Sequence, residues 1–264
     1  MKKSFLTLTV AALLLASCDR ENTTESFDQQ IVGKWMMTQT NGNTVPTNGR
    51  VVYTIMSTTE GTISASNLGT NADQEIWTNH APSTVALEGD RITLSGSLNK
   101  TIGFEAVLDV KSITGTQMQT DATNRLYLNG QLESEHSGTV VWSKVTKDYA
   151  SDILGLWEGH VTSAEGSEYD DGELHRWEYL EDGSYVYYSL DENGNWASVN
   201  STAMYFVDGT LLCTRWINEG EEQENREWWE IASIEGGVMN WTSLRLLDDG
   251  TTYTATFSMK KVEK

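Results

Sequence analysis

The four histidines and two cysteines of this 264-residue chain do not form a recognisable catalytic or metal-binding pattern. His160 and His175 lie on successive predicted strands, but alternation along those strands places them on opposite faces, which argues against a shared metal. Cys213 has no neighbouring base that would activate it as a nucleophile. We therefore expect no catalytic residue, no metal and no cofactor, and we expect that the protein is not an enzyme.

The acidic residues are grouped in runs at 165–173, at 219–227 and at Asp191-Glu192. Two facing carboxylates in a cleft could hydrolyse a glycoside, but these runs fall in predicted loops and turns, which lie on the surface. Residues 191–195 start like a calcium loop, yet Trp196 stands where such a loop needs glycine, so we predict a hairpin turn. The net charge of −20, concentrated in residues 151–264, repels phosphate backbones and excludes nucleic acid as an expected partner.

Seven of the ten tryptophans lie beyond residue 150. Strand alternation directs Trp177, Tyr187, Trp229 and Trp241 towards the interior of a barrel. These rings either fill the interior or line a pocket for a small apolar or glycan-derived ligand, and both alternatives stay open. Trp228 must face away from Trp229, so we expect it at a domain contact or exposed, where an indole could stack on a sugar.

The elements that position these residues occur twice. Gly33 and Trp35 align with Gly155 and Trp157, and further matches follow in the same order at an offset of about 120 residues. The repeat predicts two domains, 30–146 and 152–264, whose short connector should keep them in contact. In the second domain, alternating runs with turns such as Asp182-Gly183 predict eight antiparallel strands between Leu156 and Val262 and no helix.

Several motifs of each repeat are similar to those of the lipocalin-like domains found in lipoproteins of Bacteroidetes. They are Gly-x-Trp on a first strand, an aromatic residue before Asp-Gly-Ser (Trp177 to Ser184), Tyr-x-Val-x-Gly-x-x-Leu (Tyr205 to Leu212) and a closing Lys-Val. The resemblance implies an all-β fold with two tandem, up-and-down, lipocalin-like β-barrels or half-barrels of about eight strands each, whose interior can form a cavity. It implies no particular activity.

The first repeat departs from this pattern. It lacks the aromatic residue before Glu60 and is polar and irregular from Ser66 to Ala81, so we expect the more regular barrel in the second repeat. At the positions of the four interior rings it carries smaller residues, which would leave either a larger cavity or a less regular fold. They are Ile55, Ala65, Leu108 and Thr120.

The amino-terminal residues predict a lipid anchor. Lys2 and Lys3 precede an apolar run of about 12 residues, too short to span a bilayer, which ends in Leu15-Ala16-Ser17-Cys18. This sequence resembles the lipobox of bacterial lipoproteins and implies a signal peptide at 1–17, lipidation of Cys18 and a polar tether at 18–29. We expect a membrane-anchored protein of the cell envelope, in the outer membrane, facing either the periplasm or the exterior. Cys213 is then unpaired, so no intramolecular disulfide is expected.

Two functions remain open at this point. The first is a binding module that holds a small apolar or glycan-derived ligand, for which we expect the aromatic second domain as the site. The second is a structural or protein-interaction lipoprotein with filled barrels and no small-molecule ligand. A cavity of about 300 Å³ or more would favour the first.

Overall fold

The computed structural model describes residues 25–66, 76–163, 174–218, 220–247 and 249–263, without the side chains of 200–202. The predicted signal peptide, Cys18 and the acidic run at 165–173 lie outside the described residues. Within the described ranges, no helix is both long enough and apolar enough to cross a membrane.

The first half of the chain folds into a closed antiparallel barrel, here called the first barrel. A four-residue helix, α1 (Phe27–Gln30), precedes it, and a short 3-10 helix (Thr47–Gly49) lies between its early strands. Eight strands form the barrel, because β1 pairs with both β3 and β9, while β2 only extends the hairpin after β1. The strands are β1 (Gly33–Thr40), β2 (Asn43–Thr44), β3 (Val52–Ile55), β4 (Glu60–Ala65), β5 (Thr78–Glu88), β6 (Arg91–Ser97), β7 (Ile102–Ile113), β8 (Gln117–Leu128) and β9 (Gln131–Val145).

The second half forms a nine-stranded antiparallel sheet, here called the second sheet, which does not close. Its spatial order is β13-β12-β11-β10-β18-β17-β16-β15-β14. Across the open seam, the described residues form an isolated bridge between Ser184 and Met204, and the backbone N–H of Tyr205 donates to the Gly183 carbonyl oxygen at 2.8 Å. The strands are β10 (Gly155–Ser163), β11 (Leu174–Tyr179), β12 (Tyr185–Leu190), β13 (Trp196–Ser198), β14 (Asn200–Asp208), β15 (Leu211–Asn218), β16 (Glu224–Glu235), β17 (Val238–Leu246) and β18 (Thr252–Val262).

The repeated Gly-x-Trp motif has the same environment in both halves. Trp35 and Trp157 are fully buried, and their indole N–H groups donate to the carbonyl oxygens of Ile31 and Ile153 at 2.7 and 2.6 Å. A lysine ammonium lies 5.1 Å from each ring centroid, from Lys144 in the first half and Lys261 in the second. Each tryptophan is therefore fixed in the same way at the start of its first strand.

The all-β class is confirmed, but the expectation about regularity is wrong. The first repeat closes, and the second stays open. The last strand pairs with the first in both repeats, β9 with β1 and β18 with β10. The repeats differ at another seam: β4 pairs directly with β5 and completes the first barrel, whereas in the second sheet β12 pairs with β13, which leaves β13 and β14 as unpaired edges. Two short elements, β13 and the helix α1, were not predicted from the sequence.

The two bodies pack against each other through a small apolar cluster. Met36 and Val52 of the first barrel meet Phe206, Leu211 and Cys213 of the second sheet, all of them buried. This contact agrees with the expectation drawn from the short connector between the two repeats.

Candidate binding site

The first barrel contains a cavity of about 170 Å³. It lies towards the end opposite Trp35, where β7, β8 and β9 extend past the last residue of β1, Thr40, which pairs with Val140. Residues from β1, the segment that leads into β3, and β3, β4, β7, β8 and β9 line it. They are Met37, Val51, Tyr53, Ile63, Phe104, Glu105, Asn124, Arg125, Leu126, Ser134, His136 and Trp142.

The inner wall of this cavity is apolar and largely aromatic. On β7, the alternation of buried residues turns Phe104 inward, and Phe104 pairs across to Leu126 on β8. The rings of Tyr53 and Trp142 contact each other with centroids 5.0 Å apart. Trp142 is held in place because its indole N–H donates to the Thr120 hydroxyl at 3.0 Å. The wall is therefore built from rings held in defined positions, which favours a ligand with an apolar body.

The mouth of the cavity is polar. Asn124 and Ser134 are half-buried there and His136 is exposed. Arg125 is held between two carboxylates, with Nη1 2.5 Å from Glu105 and Nε 2.6 Å from Glu135. Because both acids neutralise the guanidinium, the rim offers no uncompensated positive charge that would attract an anion.

The structure brings together the four residues predicted to bind a ligand in the second repeat. Trp177 lies 5.4 Å from Tyr187 and 5.3 Å from Trp241, and Trp241 lies 5.4 Å from Trp229, measured between ring centroids. Trp229 and Trp241 are each 2% exposed, whereas Trp177 and Tyr187 are half-buried. These rings pack on one another and on Phe257, so they occupy much of the interior of the second sheet. Their role in ligand binding stays a prediction.

The corresponding positions of the first barrel carry Ile55, Ala65, Leu108 and Thr120, all of which are buried. None of them lines the cavity directly. The replacement of four rings by smaller side chains is nevertheless the feature of the sequence that pointed to free volume in this repeat. The sequence did not identify the rings that form the wall, Tyr53, Phe104 and Trp142, because they belong to positions that the comparison of the repeats did not single out.

A polar cluster joins the two bodies beside the apolar contact. The Asp208 side chain is fully buried, and its Oδ1 accepts from Lys34 Nζ and lies 3.3 Å from His80 Nε2. Lys34 also contacts Asp148 at 2.5 Å. Burial by itself would raise the pKa of Asp208, but the donors His80 and Lys34 outweigh it and hold the pKa below its ordinary value. The hydrogen bond to Asp208 raises the pKa of His80.

A β-bulge directs His80 to this position. The register between β4 and β5 shifts between Ile63 and Ala65, and His80 adopts a positive φ of 53°, which is uncommon for a residue other than glycine. Its backbone N–H donates to the Ser64 hydroxyl at 2.9 Å. This cluster could not be predicted from the sequence, since its four side chains come from β1, β5, the connector and the end of β14.

The structure also gives the positions of the other residues that the sequence analysis considered for chemistry. His175 is buried and His160 is exposed, as strand alternation predicts. Burial raises the pKa of the Cys213 thiol to about 12. Trp228 lies at the contact between the two bodies, where its indole N–H donates to Ser66 at 2.6 Å. In the described part of the chain, no three His, Cys, Asp or Glu side chains are grouped as metal ligands.

Asp191 organises the predicted hairpin turn. Its carboxylate accepts from the backbone N–H groups of Asn193 and Asn195 at 2.9 and 2.7 Å. The turn connects β12 with β13, as the sequence indicates for residues 191–195.

The fold and the cavity define an all-β protein built from a closed antiparallel barrel with an apolar interior and a second, open sheet. No protein-family model matches the chain, and no curated protein sequence does. Among solved structures, a protein of unknown function from the DUF3598 family of Nostoc punctiforme PCC 73102 aligns at 12% identity and a TM-score of 0.24, over 89% of this chain and 98% of that one.

Transferrin binding protein B from Haemophilus parasuis Hp5, a vaccine antigen, aligns as a double mutant at 10% identity and a TM-score of 0.24, over 84% of this chain. A single mutant of that protein aligns at 10% identity and a TM-score of 0.23, over 81% of this chain. The chain spans 62% and 61% of the lengths of these two structures. At such TM-scores we transfer no property from these proteins to this one, and the similarity to lipocalin-like domains stays a prediction from sequence.

Proposed function

We propose that this chain is a lipid-anchored protein of the cell envelope that binds one small apolar molecule, or the apolar end of a longer one, in the first barrel. The observation that carries the proposal is the cavity of about 170 Å³ with an aromatic wall and a polar mouth. The lipobox-like sequence ending at Cys18 supports the anchor, and the charge of −20 supports a ligand other than nucleic acid. The proposal includes no catalytic step.

The size of the cavity limits the ligand. Sites for drug-sized molecules usually enclose about 300 Å³ or more, so this cavity is smaller than the threshold that would favour a large ligand. An engineered apolar cavity of about 150 Å³ accepts benzene. We therefore expect a ligand whose buried part is about the size of one six-membered ring, with any larger portion outside the mouth beside Asn124, Ser134 and His136.

The second sheet supports a different role. Its interior rings are in mutual contact, and Trp228 is engaged at the contact with the first barrel. These contacts favour a structural role for the second sheet.

Toluene is a suitable probe for the first barrel. A chain from Asp19 to Lys264 keeps every described residue and can be titrated while the indole N–H resonances are followed by NMR. We expect the Trp142 resonance to shift in a saturable way, because its ring lines the cavity. The resonances of Trp229 and Trp241 should stay in place.

Two variants make this test specific. Leu126→Trp should abolish toluene binding, because Leu126 lines the cavity and a larger ring would fill it. The matched control is Leu132→Trp on the same hairpin, at a side chain that is 56% exposed, and it should bind like the unaltered chain. Shifts of the Trp229 and Trp241 resonances with Trp142 unchanged would move the site to the second sheet and refute the proposal.

A further inference from the structure

Tyr53 presents an unusual polar group to the cavity. The residue is only 5% exposed and lines the cavity. Its hydroxyl makes no hydrogen bond to any residue that the structure describes, and it is not among the fully buried polar atoms that lack a partner, so it keeps some accessible surface. A hydroxyl that is open to an apolar cavity can donate a hydrogen bond to an acceptor on a bound ligand.

Comparison of the two repeats shows why the Tyr53 hydroxyl has no partner within the first barrel. Tyr53 aligns with His175 of the second sheet, where His175 Nδ1 lies 3.3 Å from the Tyr187 hydroxyl. Tyr187 in turn aligns with Ala65, which has no polar group. The first barrel thus keeps a polar side chain at one position and lacks its partner at the other, so the acceptor for Tyr53 has to come from elsewhere.

The other polar group of the aromatic wall is not free to donate a hydrogen bond to a ligand. The indole N–H of Trp142 is already bonded to Thr120. Burial raises the pKa of Tyr53 far above its ordinary value, so the hydroxyl stays protonated and acts as a donor. A charged acceptor is disfavoured, because an anion in this apolar wall would meet no free cation among the residues that line the cavity.

We propose that the ligand of the first barrel carries a neutral acceptor oxygen, such as a carbonyl group, on its apolar body, and that the Tyr53 hydroxyl donates a hydrogen bond to it. This inference rests on the function proposed above and adds the chemical class of the ligand.

Two probes of equal shape test the inference. Cyclohexanone carries a carbonyl oxygen where methylenecyclohexane carries a CH₂ group, and both have a single six-membered ring. The affinity of each is measured by NMR titration for the unaltered chain from Asp19 to Lys264, for Tyr53→Phe and for the matched control Tyr127→Phe on the same barrel. We expect Tyr53→Phe to bind cyclohexanone about fivefold more weakly, with methylenecyclohexane unaffected and the control unchanged for both probes.

The outcomes separate the two proposals. If the unaltered chain binds neither probe nor toluene, the proposed function fails and the inference fails with it. If both probes bind and Tyr53→Phe changes their affinities by the same factor, the inference alone is overturned. A second measurement does not depend on the variant: the infrared carbonyl band of bound cyclohexanone should lie at lower frequency than in an alkane solvent, and an alkane-like band would overturn the inference.

Discussion

Replacement of Lys34 by methionine should weaken the contact between the first barrel and the second sheet. Lys34 Nζ contacts the fully buried Asp208 and the half-exposed Asp148. Methionine keeps much of the aliphatic length of lysine and removes the ammonium group. Asp208 is then left in the interface with His80 as its remaining cationic partner.

The expected magnitude follows from the burial of the two partners. Removal of one member of a fully buried ion pair costs about 3–5 kcal/mol. The Lys34 side chain is 20% exposed and His80 remains beside Asp208, so we expect the lower value of about 2 kcal/mol in the free energy of unfolding. For a chain of this size that loss corresponds to a fall in Tm of about 4–8 °C.

Urea unfolding of the chain from Asp19 to Lys264, followed by circular dichroism, measures this change. Lys111→Met is the matched control, because the Lys111–Asp121 pair is more than half exposed at both side chains and should contribute less than about 0.5 kcal/mol. In the double variant Lys34→Met/Asp208→Asn, we expect the two losses to be non-additive by about 1 kcal/mol. If Lys34→Met and Lys111→Met were equally stable, the assigned role of the buried pair would be refuted.

Two further predictions concern the same contact and the anchor. Because the pKa of His80 is raised by Asp208, its contribution is complete below the ordinary histidine pKa of about 6.5 and is lost as pH rises through the raised value. Between about pH 6 and pH 8, the free energy of unfolding should therefore fall less in His80→Gln than in the unaltered chain, and the difference should be below about 1 kcal/mol because His80 is partly exposed. Urea unfolding at several pH values measures this difference; an unchanged pH profile would contradict it, and His160→Gln at an exposed position is the control. Cys18→Ala should move the protein from the membrane fraction to the soluble fraction, as fractionation and immunoblotting would show, and a variant that stayed on the membrane would exclude the lipobox.

Much of the second half of the chain could be predicted locally. Its strand pattern follows from alternation and from turns such as Asp182-Gly183, and the observed β18 (Thr252–Val262) ends at Val262, where the last predicted strand ends. The orientations of Trp228 and Trp229 could be predicted in the same way. Neighbouring residues on a strand face opposite ways, so one of the two tryptophans had to point away from the interior. The structure places Trp229 in the interior and Trp228 at the contact between the two bodies.

Closure could not be predicted in this way. The polar stretch around Ser66 to Ala81 suggested an irregular first repeat, yet β5 begins at Thr78 and the barrel closes around it. Whether β4 pairs with β5, as in the first barrel, or β12 pairs with an extra strand such as β13, as in the second sheet, depends on the twist and stagger of all the strands together, which no single segment reveals. The cavity could not be predicted for the same reason, since its wall combines residues from six strands and the segment before β3.

The sequence by itself determined the β class, the tandem repeat, the strand faces and the equivalence of Trp35 and Trp157, because each depends on spacing within a strand or on a motif at its start. Only the tertiary structure decided which repeat closes, where free volume remains and which groups meet across the two bodies. The unpaired hydroxyl of Tyr53 and the buried carboxylate of Asp208 belong to this second group. Their properties depend on atoms contributed by distant segments, and those distances are set when the whole chain packs.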